Sequence, residues 1–98
     1  MGEVKLIITP DADNDIRSIY DYLSDYSITV ALAQVDRFLV QFEQLRRFPR
    51  MGKVIEKLRN ERLREFFVGP YRIAYYIVSE HQIDILRVHH SARPPEFE

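Results

Sequence analysis

The apolar residues of this chain change period near its middle, and that change restricts the fold more than any other feature. From Ala12 to Leu45 they recur at steps of three and four; from Leu63 to His89 they gather into short runs rich in β-branched and aromatic residues. Three-to-four spacing lines one face of a helix, whereas short runs bounded by turn residues belong to strands. A chain that places its helices before most of its strands segregates them into layers, which is the α+β arrangement.

The punctuation between the runs fixes the elements. Residues 4–8, Val-Lys-Leu-Ile-Ile, form a short strand that stops at Thr9-Pro10, where threonine can cap a helix and proline suits its first position. Asp11 and Asp13 then complement the positive end of the helix dipole. Ala12, Ile16, Ile19, Tyr20 and Leu23 make one apolar stripe, and this helix is expected to end near Tyr26. Ser27 and Thr29 are candidate caps for a second helix, whose stripe is Ala31, Val35, Phe38, Leu39, Phe42 and Leu45 and which Pro49 stops. So short a link makes the two helices an antiparallel hairpin.

Arg50-Met51-Gly52 reads as a turn, and residues 53–62 form a charged connection without an assigned element. Residues 63–68, 71–78 and 83–89 are three strands separated by Gly69-Pro70 and by a polar stretch at 79–82, an antiparallel meander. The expected order is β-α-α-β-β-β, a twisted sheet with the hairpin on one face, forming one domain over residues 1–98. The tail from Ala92 to Glu98 holds Pro94 and Pro95 and cannot continue the sheet.

With 98 residues and 46% apolar content, the chain can bury one modest core but not two. That leaves little room for an enclosed cofactor cavity and favours work done at a surface; no cofactor is expected. The absence of cysteine removes disulfides, iron–sulfur clusters and thiolate zinc sites, and suits a reducing compartment. No basic leader precedes a long apolar run, and no stretch approaches the ~20 apolar residues of a membrane span. The expectation is a cytoplasmic protein with no membrane partner.

A formal net charge of −1 gives no whole-molecule case for nucleic-acid binding, but the charge is unevenly spread. Residues 1–45 carry three basic and eight acidic side chains, residues 46–72 nine and three, and residues 73–98 two and four. The basic block, Arg46, Arg47, Arg50, Lys53, Lys57, Arg59, Arg62, Arg64 and Arg72, needs either a solvated face that pairs with the protein's own acidic helices or an anionic partner.

Leu63-Arg64-Glu65 opens a strand, Gly69-Pro70-Tyr71-Arg72-Ile73-Ala74-Tyr75-Tyr76 follows, and then Ile85-Leu86-Arg87-Val88-His89-His90-Ser91-Ala92-Arg93. Together with the Ile16/Ile19-Tyr20/Leu23 helix and Phe48-Pro49-Arg50-Met51-Gly52, this order resembles the ParE/RelE toxin superfamily, in particular its plasmid-stabilisation, ParE-like branch. The resemblance covers nearly the whole chain. It implies a sheet with an α-hairpin and a cognate antitoxin, usually a small DNA-binding protein whose C-terminal segment wraps the toxin. Operator DNA would be reached only through that antitoxin.

The superfamily divides by target. ParE-like members inhibit DNA gyrase and stabilise its cleaved-DNA complex, whereas RelE-like members cut messenger RNA on the ribosome. RNA cleavage needs a base for the 2′-hydroxyl, cations for the phosphorane and an acid for the leaving 5′-oxygen. The resemblance offers Arg72, His90 and Arg93 for such roles, with Lys53, Glu56 or Lys57 for the remaining one. Against this, the last tyrosine is Tyr76, inside a strand, where RelE-like nucleases carry a functional tyrosine near the C-terminus. The acidic overall charge also forgoes the counterion release that favours a ribosome binder.

Gyrase inhibition needs no catalytic set, since trapping another enzyme's intermediate is a binding problem; Lys57, Arg59, Arg64, Arg72 and Arg93 are then the candidate contacts. A third reading is an inactive toxin-like subunit of an autoregulatory complex. Each candidate has a bland counterpart: Arg64 and Arg72 can pair across the sheet with Glu65 or Asp84. His89 and His90 are consecutive on a strand and cannot jointly hold a metal. Tyr20, Tyr71 and Tyr75 suit core packing, while Tyr22 and Tyr26, four apart on the first helix, could form an exposed antitoxin or dimer contact.

Overall fold

The computed structural model describes residues 3–92; Arg93 and the proline-bearing tail lie outside the described residues. The elements are β1 (Lys5–Ile8), α1 (Pro10–Ser24), α2 (Ile28–Arg47), β2 (Lys53–Val54), a 3₁₀ turn (Glu56–Leu58), β3 (Leu63–Val68), β4 (Tyr71–Ser79) and β5 (Gln82–His90). They form a five-stranded sheet in the order β1-β5-β4-β3-β2. β1 runs parallel to β5, and the remaining neighbours are antiparallel.

Thr9 joins β1 to α1 as the sequence leads one to expect. Its hydroxyl accepts from the Ala12 N–H at 3.3 Å and donates to the Ile85 carbonyl at 2.8 Å. One side chain thus caps the helix and pins it to β5. Ser27 caps α2 by accepting from the Val30 N–H at 3.2 Å, so Thr29 lies inside the helix. Because Ser27 takes an extended conformation, α1 has to close before it, at Ser24 instead of near Tyr26; the Tyr26 and Ser27 N–H groups both return to the Leu23 carbonyl.

The connection at 53–62 holds structure that the sequence pattern does not reveal. Lys53 pairs with Glu65 and Val54 with Arg64, and the Ile55 N–H extends the ladder to the Leu63 carbonyl at 3.1 Å. The result is a two-residue edge strand that buries Ile55. At the other end of β3, Gly69 holds φ at +55° in the turn into β4, a conformation that suits a residue without a Cβ.

The hairpin covers one face of the sheet. Ala12 from α1 and Phe38, Phe42 and Leu45 from α2 pack on Tyr71, Ile73, Tyr75 and Ile77 of β4 and on Ile83, Ile85 and Val88 of β5. Leu39, placed on the α2 stripe by its spacing, is instead 49% exposed. The inward side of β5 shifts from odd to even positions at a β-bulge: Ala74 pairs with Arg87 but Tyr75 with Ile85, leaving Leu86 as the extra residue. Hence Ile83, Ile85 and Val88 all face the helices.

Candidate functional site: basic surfaces on both sides of the sheet

Tyr71 and Arg72 are neighbours on β4, so their side chains leave on opposite faces. Tyr71 faces the helices, its ring centroid 5.3 Å from that of Phe38. Its cross-strand partner His90 meets it edge-on at 5.6 Å. Arg72 pairs with His89 and with Phe67 and lies on the face away from the hairpin. There its Nη1 is 3.6 Å from Oε2 of the buried Glu65, and its guanidinium carbon lies 5.6 Å from the Phe67 ring centroid. Lys53 Nζ approaches Glu65 Oε1 from the other side at 3.9 Å. The cross-strand pairing expected for Arg72 with Glu65 is therefore present, and His90 is not on its face.

Arg64 occupies a different position. Its Nε donates to the Glu61 carbonyl at 2.8 Å, and its Nη1 donates to the carbonyls of Gly52 at 2.8 Å and Arg50 at 3.3 Å. The guanidinium fork ties the loop after α2 to the start of β3, a use that needs several donors in one plane. Lys57 sits on the 3₁₀ turn with Glu56, and both are exposed. Arg59 closes that turn in a left-handed conformation, φ 49°, a strained position for a side chain with a Cβ. The two form an exposed basic tip beside Lys53.

The same loop is held from below by Tyr75, which is fully buried. Its hydroxyl donates to the Pro49 carbonyl at 2.7 Å and accepts from the Gly52 N–H at 3.0 Å. Burial raises the Tyr75 hydroxyl above its ordinary pKa, a shift that the Gly52 N–H and the nearby Arg64 and Arg50 partly oppose. A Cβ on Gly52 would lie 2.7 Å from Cε1 and the hydroxyl of Tyr75 and 2.8 Å from the Glu65 carbonyl. Glycine is required here by close approach.

Two arrangements escape a reading of the sequence. Asp15 on α1 accepts from Arg87 Nε at 2.9 Å and Nη2 at 3.1 Å and from the Val88 N–H at 2.8 Å, with His89 Nε2 3.9 Å away. It supplies the acceptor for a stretch of β5 that β1, pairing only with residues 82–85, does not reach. The second is an open groove of about 910 Å³ at the end of α2, lined in part by Arg47, Phe48, Arg50, Met51, Arg62 and Ile77. Its parts come from three separate segments, so no local motif announces it.

Tyr22 and Tyr26 are exposed and meet edge-to-face at 5.5 Å. Among the described residues, no cluster of three or more His, Cys, Asp or Glu is placed to hold a metal, and no helix is long and apolar enough to cross a membrane.

A sheet of this order under an α-hairpin recurs in solved structures of toxin–antitoxin systems. A chain of the chromosomal ParDE TA system from P. aeruginosa superposes with a TM-score of 0.71 at 23% identity, over 90% of this chain and 96% of the other. A chain of the RelBE2 toxin–antitoxin complex from Mycobacterium tuberculosis gives 0.61 at 28% identity, over 90% and 98%. Among curated proteins none matches the sequence. The family model of the ParE toxin of the type II toxin–antitoxin system, parDE, matches residues 6–95, and the chain belongs to that family. It is a toxin component of a type II toxin–antitoxin system.

Proposed function

We propose that this toxin acts by binding, as an inhibitor that holds DNA gyrase in its cleaved-DNA state, and that a cognate antitoxin, a small DNA-binding protein, keeps it silent in the cytoplasm. Residues 1–98 act as one toxin domain in this reading. The observation that carries it is the placement of Arg72 and His90 on opposite faces of the sheet. An acid for the leaving oxygen and a cation for the phosphorane must meet at one phosphate, and a sheet separates these two. Arg72 is also held by Glu65, and the Arg64 fork by loop carbonyls, which suits a framework that shapes a contact surface. Lys57 and Arg59, exposed at the tip, and Arg93 are the proposed contacts to acidic protein or DNA phosphate, with Arg64 and Arg72 supporting them.

The test adds the purified toxin to gyrase and, in parallel, to a translation reaction. Supercoiling should stop and cleaved DNA accumulate while messenger RNA stays whole. Cut message with active gyrase would establish the RelE-like nuclease reading instead, and no effect on either would point to an inactive subunit of the repressor complex.

A further inference from the structure

We propose that the groove at the C-terminal end of α2 is a docking site for an acidic segment of a partner protein that inserts a large apolar side chain. The idea is independent of which target the toxin has. Phe48 is 58% and Met51 44% exposed, two large apolar residues within four positions. Both flank the groove whose floor includes Ile77, so an incoming side chain would gain apolar contact on several sides.

Charge selects the occupant. Among the described residues, Arg47, Arg50 and Arg62 line the groove against one carboxylate, that of Glu80. Arg62 Nη1 donates to the Val78 carbonyl at 3.2 Å. Among the described residues, the side chains of Arg47 and Arg50 make no hydrogen bond or ion pair. Arginine rims of this kind recognise carboxylates through paired, charge-assisted hydrogen bonds. Arg47 also lies in the last turn of α2, where a cation complements the helix dipole, but Arg50 lies beyond that turn and the dipole does not account for it.

The groove wall is preorganised. The Tyr75 hydroxyl fixes the Pro49 carbonyl and the Gly52 N–H, and Arg64 fixes the carbonyls of Arg50 and Gly52. The loop therefore has little order left to gain on binding, which favours affinity. A single-stranded nucleic acid is the competing anionic ligand, but it asks for a series of aromatic platforms. Among the described residues this groove offers one aromatic ring, Phe48, with aliphatic Ile77 and the carboxylate of Glu80, and a peptide fits it better.

Fluorescence anisotropy with three labelled probes tests the assignment: a short peptide of Asp and Glu surrounding one Leu and one Phe, the same peptide with Lys in place of the acids, and an oligodeoxythymidine of equal charge to the first. The acidic peptide should bind best and weaken with added salt. Arg47→Ala with Arg50→Ala, which removes side chains that make no hydrogen bond or ion pair among the described residues, should weaken it by about tenfold or more, and Met51→Ser by several-fold. Circular dichroism would show that both variants fold. No binding of the acidic peptide, unchanged binding by the folded variants, or preference for the oligonucleotide would each overturn the proposal. The gyrase result would stand apart from all of these.

Discussion

Removing one oxygen atom, in Tyr75→Phe, should loosen the loop that follows α2 far more than the size of the change suggests. The hydroxyl is the meeting point of two loop groups, donating to the Pro49 carbonyl at 2.7 Å and accepting from the Gly52 N–H at 3.0 Å. Phenylalanine fills nearly the same space, so the transfer contribution is small and the loss falls on polar groups left without partners. A buried donor or acceptor so stranded costs about 1–3 kcal/mol, and two of them, one only partly buried, give about 2–4 kcal/mol. A chain of this size holds on the order of 5–15 kcal/mol in total, so the melting temperature should fall by roughly 10–20 °C.

Gly52→Ala strikes the same contact from the other side. Its Cβ would sit 2.7 Å from Tyr75 and 2.8 Å from the Glu65 backbone, and overpacking of this kind costs about 1–3 kcal/mol. Because both substitutions disturb one contact, the double variant should lose less than the two separate losses combined. Urea denaturation followed by far-ultraviolet circular dichroism measures all three. If Tyr75→Phe changed stability by less than about 0.5 kcal/mol, a change typical of an unconstrained surface site, the hydroxyl would not be holding the loop.

Other consequences concern the two ends of the sheet and the alkaline limit of stability. Asp15→Ala should cost about 2–3 kcal/mol, because Arg87 and the Val88 N–H lose their shared acceptor; Asp15→Asn, which keeps an acceptor, should cost less, and equal losses in urea melts would count against the hydrogen-bond explanation. Thr9→Val should cost about 1–2 kcal/mol through loss of the cap. A thermal melt within experimental error of the parent would refute that role. Burial raises the hydroxyls of Tyr75 and Tyr71 above the ordinary value of 10.0. Both bind their protons more tightly in the folded state, so their contribution is complete below about pH 10 and is lost as pH rises through the folded values. Urea midpoints should fall above that pH, less steeply for Tyr75→Phe, and a parallel fall in parent and variant would show that another group is responsible.

Much of the fold was legible because local chemistry and tertiary structure agree. Thr9-Pro10 marks a strand-to-helix junction by capping rules alone, and the structure uses the same threonine to reach β5. The three long strands follow their β-forming runs and turn residues closely. β2 was not legible, since two residues carry no periodicity and its existence depends on Glu65 and Arg64 opposite. Leu86 as a bulge was hidden for a related reason: an inserted residue changes which side faces in without altering composition.

The site was legible only in part. The basic block is visible in the order of residues, but sequence does not say that Arg64 points into loop carbonyls while the side chains of Arg47 and Arg50 find no hydrogen bond among the described residues. The tie between Asp15 and Arg87 spans 72 positions and follows from packing. The relative faces of His90 and Arg72 follow from the register between β4 and β5, which neither run of residues encodes by itself. That register is what separates an arginine and a histidine that resemble a catalytic pair when read along the chain.

The most direct test of a toxin that binds instead of cutting is induction in bacterial cells without its antitoxin, with chromosomal breaks and the 5′ ends of messenger RNA followed in the same culture. Growth arrest with accumulating DNA breaks and an unchanged pattern of message ends is the expected result. New message ends with an intact chromosome would contradict it.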